Sequence, residues 1–218
     1  MATAITFLIQ WGDRSLLGLF MTKAMLGLYA TATVWSRIAV EALLRINAQV
    51  MFPIYADLIN RGDAHLRRKL FKARLALVLV FVPPMWALSL GGQWMIDFLY
   101  DPRYAEAGWM LQILAMGSVG AIISTTASNI LLAAGDSKRH MILQTGRGLL
   151  LIASIAVGAY FGEVKGMIYG VAASKVIDYP LLVWAIRRYV VWMPILDLST
   201  LALSGVVIMG GHAYLTHI

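Results

Sequence analysis

Residues 26–59 read LGLYATATVWSRIAVEALLRINAQVMFPIYADLI, an apolar run of helical length. As one helix it spans about 50 Å at 1.5 Å per residue, more than the ~30 Å of a bilayer's hydrocarbon core. Arg37, Glu41 and Arg45 sit near its middle at four-residue spacing. Successive fourth residues advance only about 40° around a helix, so the three share one face. A charge at mid-bilayer costs roughly 2.5–3.5 kcal/mol, so three facing lipid would cost on the order of 8–10 kcal/mol. The row is therefore expected to face protein or a water-filled cavity, with the rest of the chain as the wall around it. The competing reading is an ion-pair ladder that braces the helix, worth roughly 0.2–0.5 kcal/mol per pair.

Composition agrees with a membrane setting. The 218 residues are 60% hydrophobic and 13% charged, with mean hydropathy +0.75, whereas a soluble domain carries about a quarter charged residues. Apolar runs recur at helical length rather than as short alternating segments, which excludes an outer-membrane barrel. The chain has no cysteine, so no disulfide frame, thiolate nucleophile or cysteine metal site. Most of the +7 net charge falls in short loops, where it sets membrane orientation rather than binding nucleic acid. The beginning, MATAITFLIQWGDRS, is not a secretory signal: it lacks a basic start, and Gly12-Asp13-Arg14 stands where a cleavage site would be. A chain that starts almost inside a membrane segment suggests a larger protein that has lost its first part.

Seven spans are expected. The first runs from about Ala2 to Phe20, interrupted by Asp13 and Arg14, and the second is the long helix, with Pro53 near its exit. A basic loop follows, holding Arg61, Arg67, Arg68, Lys69, Lys72 and Arg74. The third, Ala73 to Tyr100, contains Pro83-Pro84 and Gly91-Gly92, and proline removes a donor and clashes with the preceding turn, so a kink is expected. The fourth, Gly108 to Ala134, is rich in serine and threonine, and Ala134-Gly135-Asp136-Ser137 reads as a stop and a new cap. The fifth covers Met141 to Phe161, GEVK makes a tight turn, the sixth covers Gly166 to Ile186, and the seventh covers Ile195 to Leu215. Lysine and arginine concentrate in the loops after helices two, four and six, which the positive-inside rule places in the cytoplasm.

Gly166, Gly170 and Ser174 open the sixth helix at four-residue spacing, a seam along which a neighbour approaches closely. Asp178 extends that face, with Lys175 three residues before it in pairing reach, and Pro180 is expected to bend the helix beyond. No nucleophile elbow, phosphate loop or zinc-protease motif occurs. The four histidines lack ligand spacing, and Asp101 and Glu106 share a loop with Arg103 between them. Neither catalysis nor a metal or cofactor is expected.

GDRSLLGLF, LGLYATATV, VMFPIYADL, FLYDPRYAEAG, NILLAAGDSKRHM and FGEVKGMIYGVA follow one another between Gly12 and Ile186. That ordered series resembles the C-terminal lobe of polysaccharide and oligosaccharide flippases of the multidrug/oligosaccharidyl-lipid/polysaccharide exporter superfamily. The resemblance implies an all-α polytopic membrane bundle, one lobe of a MATE-like transporter. Such proteins pair two six-helix lobes around a cationic cavity and carry undecaprenyl-diphosphate-linked sugars across the inner membrane. Residues 1–188 then look like the second lobe and 189–218 like an appended helix. The first lobe is missing, and Tyr100-Asp101-Pro102 stands where many members place a glycine. The Arg37–Glu41–Arg45 row is not carried over from the family; it rests on the cost of charge in lipid.

The expected function is export of lipid-linked oligosaccharide, with the membrane and a missing N-terminal lobe as partners. Arg14, Arg37 and Arg45 are the first candidates to attract a diphosphate, since guanidinium matches phosphate oxygens bidentately; Arg147 and Lys175 come second. Asp13, Glu41 and Asp178 would keep the anion from locking in place, Asp13 and Asp178 doubling as ion-coupling groups. A cation-coupled multidrug exporter would want acids without the arginines. A sugar-transfer enzyme would want a large external loop, and a scaffold subunit would leave the mid-helix charges unexplained.

Overall fold

The computed structural model describes residues 13–61, 64–189 and 192–215, and among them all regular structure is helical. Residues 13–17 form a short helical stretch. The chain then builds α1 (Lys23–Arg61), α2 (Ala64–Leu99), α3 (Glu106–Ala133), α4 (Ser137–Ile177), α5 (Tyr179–Ile186) and α6 (Pro194–Leu215). Five stretches are long and apolar enough to cross a membrane, so the expected seven is not the number the described residues give. The first expected span lies mostly on residues 1–12, outside the described ones. The fifth and sixth fall in one 53-residue stretch, Ser137–Tyr189.

That stretch is not straight. Gly162 (φ −154°, ψ 23°) and Glu163 (φ 48°, ψ −129°) leave helical geometry, so the GEVK turn falls where expected. The chain reverses there, because Gly158 packs on Gly166 and Ser154 on Gly170 across two antiparallel arms. Glu163, not the glycine, takes the positive φ. The second arm is in turn packed against α3, where Gly117 meets Ala172 and Gly120 meets the Lys175 carbonyl. The seam expected at Gly166 and Gly170 is thus the floor of the hairpin, and glycine lets backbone approach backbone.

α3 is the central helix: 72% of its most apolar window is buried, against 39% or less for the other four candidates. Its hydroxyls and carbonyls take the polar contacts of its neighbours. The Ser118 hydroxyl donates to the Ser36 carbonyl at 3.2 Å, Asn47 Nδ2 donates to the Thr125 carbonyl at 2.7 Å, and the Tyr55 hydroxyl donates to the Thr126 carbonyl at 2.5 Å. These hold α1 alongside α3. Leu79, Val80, Trp94, Phe98 and Val206 are exposed on the outside, as a lipid-facing surface requires.

Element ends follow local chemistry. α3 stops in a Schellman turn: the Asp136 N–H bonds the Leu131 carbonyl at 2.9 Å and the Gly135 N–H bonds that of Leu132 at 3.1 Å, with Gly135 at φ +69°. Asp136 then caps α4 by accepting from the Arg139 N–H. The Tyr189 hydroxyl and that N–H hold the Asp136 carboxyl below the usual carboxylate range. α2 runs through Pro83 and Pro84 as one helix. At Pro180 the helix is divided rather than bent within: α4 ends at Ile177 and α5 starts at Tyr179, with the proline in the first turn, where its missing N–H costs nothing.

The basic turns gather at one end. Tyr189 reaches Asp136 at 2.6 Å, and Arg67 and Arg68 share a groove with Trp192 and Met193. At the other end Lys165, just past the hairpin turn, lies 5.5 Å from the Trp109 ring centroid. The alternation of loop charge along the chain therefore corresponds to two ends of one bundle. The basic segment between α1 and α2 is not a long loop, however. α2 starts at Ala64, so Arg67, Arg68, Lys69, Lys72 and Arg74 are helical.

Arg74 is the larger departure. It is buried completely, and its Nη2 donates to Asp197 Oδ1 of α6 at 2.7 Å, with side-chain exposures of 0% and 1%. The Tyr179 hydroxyl adds a long bond to Asp197 at 3.4 Å, and Trp86 Nε1 donates to Ser204 of α6 at 2.9 Å. α6 is tied into the bundle by buried polar contacts on two levels.

Candidate functional site

Three elements bring charge together beside the middle of α1. Arg37, two turns beyond Tyr29, pairs with Glu41 at 3.7 Å. In the 13–17 stretch, Asp13 is buried and accepts from the Tyr29 hydroxyl at 2.8 Å and from the Arg14 N–H at 2.9 Å. Lys175, on the second arm of α4, lies within electrostatic range of both Asp13 and Arg37. Its backbone is pressed against Gly120 of α3, which fixes the depth at which the lysine leaves its helix. Asp13, Arg14, Arg37, Glu41 and Lys175 thus form one neighbourhood, although they are up to 162 positions apart in sequence.

The described residues do not enclose the row. Glu41 has a side-chain exposure of 58% and Arg37 of 28%, and Arg45 is exposed. The expectation that the chain itself walls in the row is not met by the described residues, among which the row lies on an open face. The reason is geometric, since the face of α1 opposite the row carries Leu43, Asn47 and Met51, all at 0% exposure, and that is the face taken by the core. The ion pair and the open face coexist, so Arg37 and Glu41 brace the helix and are also displayed.

Asp178 belongs elsewhere. It does not pair with Lys175, as their spacing suggests, but with Arg147 of the first arm, whose Nε donates to Oδ2 at 2.8 Å. The Ser124 hydroxyl of α3 donates to the same oxygen at 3.1 Å, Arg147 Nη2 also bonds Ser124, and Arg147 Nη1 donates to Gln144 Oε1 at 3.1 Å. Asp178 itself keeps helical geometry (φ −68°, ψ −11°), and its N–H bonds the Ser174 carbonyl at 3.1 Å, so the choice of partner is set by the neighbours packed against it rather than by its own backbone. Arg147, Asp178, Ser124 and Gln144 form a partly buried clasp between α3 and both arms of the hairpin.

Tyr29, Ser124 and Gln144 were not singled out from sequence. Tyr29 and Thr33 extend the four-residue spacing of Arg37, Glu41 and Arg45 backwards, so the signal for Tyr29 was present. Four cations, Arg14, Arg37, Arg45 and Lys175, and two acids, Asp13 and Glu41, make up the set: Glu41 and Arg45 are exposed, Arg14, Arg37 and Lys175 half-buried, and Asp13 buried. Guanidinium and ammonium groups so placed can donate charge-assisted hydrogen bonds to an anion. Among the described residues no three His, Asp or Glu side chains converge to hold a metal ion.

A family model described as polysaccharide biosynthesis protein matches residues 1–109, half of the chain, and takes in Asp13, Arg14 and the whole row on α1. No curated protein and no solved structure matches.

Proposed function

The chain belongs to the polysaccharide biosynthesis protein family, and on that premise we propose that this membrane protein is the C-terminal half of a flippase for lipid-linked oligosaccharide. It spans the bacterial inner membrane several times, with the basic turns in the cytoplasm. The cargo is an undecaprenyl-diphosphate sugar, moved by rocking of two lobes about a site near the midplane and without covalent chemistry. The observation that carries the reading is the displayed charge beside α1. Arg14, Arg37 and Lys175 converge there from three elements, and Glu41 and Arg45 point away from the core. Left to lipid, each such charge costs roughly 2.5–3.5 kcal/mol, so a second lobe facing this surface and an aqueous path between them is the arrangement that relieves the cost. Asp13 is the ion-coupling candidate; Asp178, already held by Arg147 and Ser124, acts as a brace.

Exchanging Arg37 and Glu41 tests this. The swap keeps an i,i+4 pair, so helix bracing survives, but it moves the carboxylate about 6 Å along the path. Fixed charges in a low-dielectric cleft focus the field on a passing anion. Surface polysaccharide is expected to fall about tenfold or more, equivalent to ~1.4 kcal/mol or above, with normal membrane levels of the protein by blot. Arg45→Lys, which keeps charge but not the fork, should lose less. Unchanged polysaccharide from the exchanged variant would leave only the bracing role.

A further inference from the structure

At the end where the basic turns gather, a groove of about 410 Å³ opens between the first turns of α2 and α6. We propose that it binds an anionic glycerophospholipid, the phosphate between Arg67 and Arg68 and the first acyl carbons along the apolar floor. The two arginines are exposed, and none of the ion pairs among the described residues involves either. Below them the lining is apolar: Phe71, Met193, Ile195 and the Trp192 ring. Ile195 is 83% exposed and Trp192 39%, so the floor opens sideways, as an acyl chain needs. Trp192 is fixed by donating its indole N–H to the Tyr179 hydroxyl at 3.1 Å, and tryptophan favours the headgroup level of a bilayer. The volume falls within the range of small-molecule sites.

Charge decides the class of lipid. Among the described residues, Asp197 in the first turn of α6 is neutralised by Arg74 at 2.7 Å and does not repel a phosphate. A zwitterionic headgroup would bring its ammonium against two guanidinium groups; a phosphatidylglycerol headgroup brings only its phosphodiester. Basic pockets between membrane helices at the cytoplasmic side recognise anionic lipids by this balance. The site stands apart from the charged face on α1 and does not depend on the transport reading.

The test is native mass spectrometry of the purified full chain, offered equal dioleoylphosphatidylglycerol and dioleoylphosphatidylcholine. Two arginines are expected to favour the anionic lipid on the order of 30-fold. Arg67→Gln with Arg68→Gln, both at exposed positions and mild for folding, should bring the two lipids to parity. Millimolar inorganic phosphate should not displace the bound lipid, because the acyl contacts are missing. Equal retention of both lipids by the unaltered protein overturns the proposal, and so does selectivity that survives the double substitution. Displacement by free phosphate overturns it too, since the groove would then be a site for a bare anion.

Discussion

Arg74→Ala is expected to lower the unfolding free energy by about 3–5 kcal/mol, and Asp197→Ala by a similar amount. Both side chains are out of solvent, at 0% and 1% exposure, and 2.7 Å apart. Removing the guanidinium leaves the carboxylate in an apolar surround, with, among the described residues, the Tyr179 hydroxyl at 3.4 Å to help. The pair itself is worth less than either loss implies, because forming it cost the desolvation of two ions. Arg74→Met combined with Asp197→Leu should therefore recover most of the stability. The measurement is unfolding in mixed micelles with rising denaturing detergent, together with protease sensitivity of the segment before α6. The singles should expose that segment early and the double should not. A single substitution costing under about 1 kcal/mol would show that α6 is not clamped there.

Gly166→Val should be as damaging for a different reason. A Cβ on Gly166 would overlap the Gly158 carbonyl oxygen, one on Gly158 would overlap that of Gly166, and one on Gly170 would overlap that of Ser154. The obstructing atoms are backbone, so no rotamer change makes room and the two arms must part. Overpacking typically costs about 1–3 kcal/mol where side chains can shift, and here the upper end or more is expected. Gly91→Ala is the control: nothing lies within 4 Å of its added carbon, and alanine in mid-helix should gain roughly 0.5–1 kcal/mol. Expression and monodispersity in detergent read both. Wild-type behaviour of Gly166→Val would mean the arms are not in backbone contact.

What local chemistry decides was legible in the chain. The long helix read as Leu26–Ile59 is Lys23–Arg61, the Ala134-Gly135-Asp136 stop has the expected turn and cap, and GEVK reverses the chain. Each depends on a few adjacent residues. The basic neighbours of Arg74 point to a loop, and the lone Asp197 in a nearly uncharged helix is the local sign of a buried cation elsewhere. Helical spacing puts Lys175 within reach of Asp178, but the carboxylate is taken by Arg147 and Ser124, which tertiary packing brings to it. For the row on α1, periodicity establishes that three charges share a face but says nothing of what stands opposite. The convergence of Asp13 and Lys175 on Arg37 depends on how α4 packs on α3, a contact no local pattern encodes.

The central claim is that this converged charge binds a diphosphate carried on a lipid. Lys175→Gln tests it most directly, because the lysine makes no ion pair within 4 Å among the described residues, and Asp13, the carboxylate in its electrostatic range, keeps its bonds from the Tyr29 hydroxyl and the Arg14 N–H. The measurement is the affinity of the purified protein for a soluble short-chain prenyl diphosphate, by calorimetry at low and high salt. A lost charge-assisted hydrogen bond to phosphate is worth about 1.5–3 kcal/mol, so Lys175→Gln should weaken binding roughly 10- to 100-fold. Lys175→Arg should retain most of the affinity, and high salt should weaken wild-type binding more than that of the Gln variant. Equal affinity of wild type and Lys175→Gln, with no difference in salt dependence, would contradict the account.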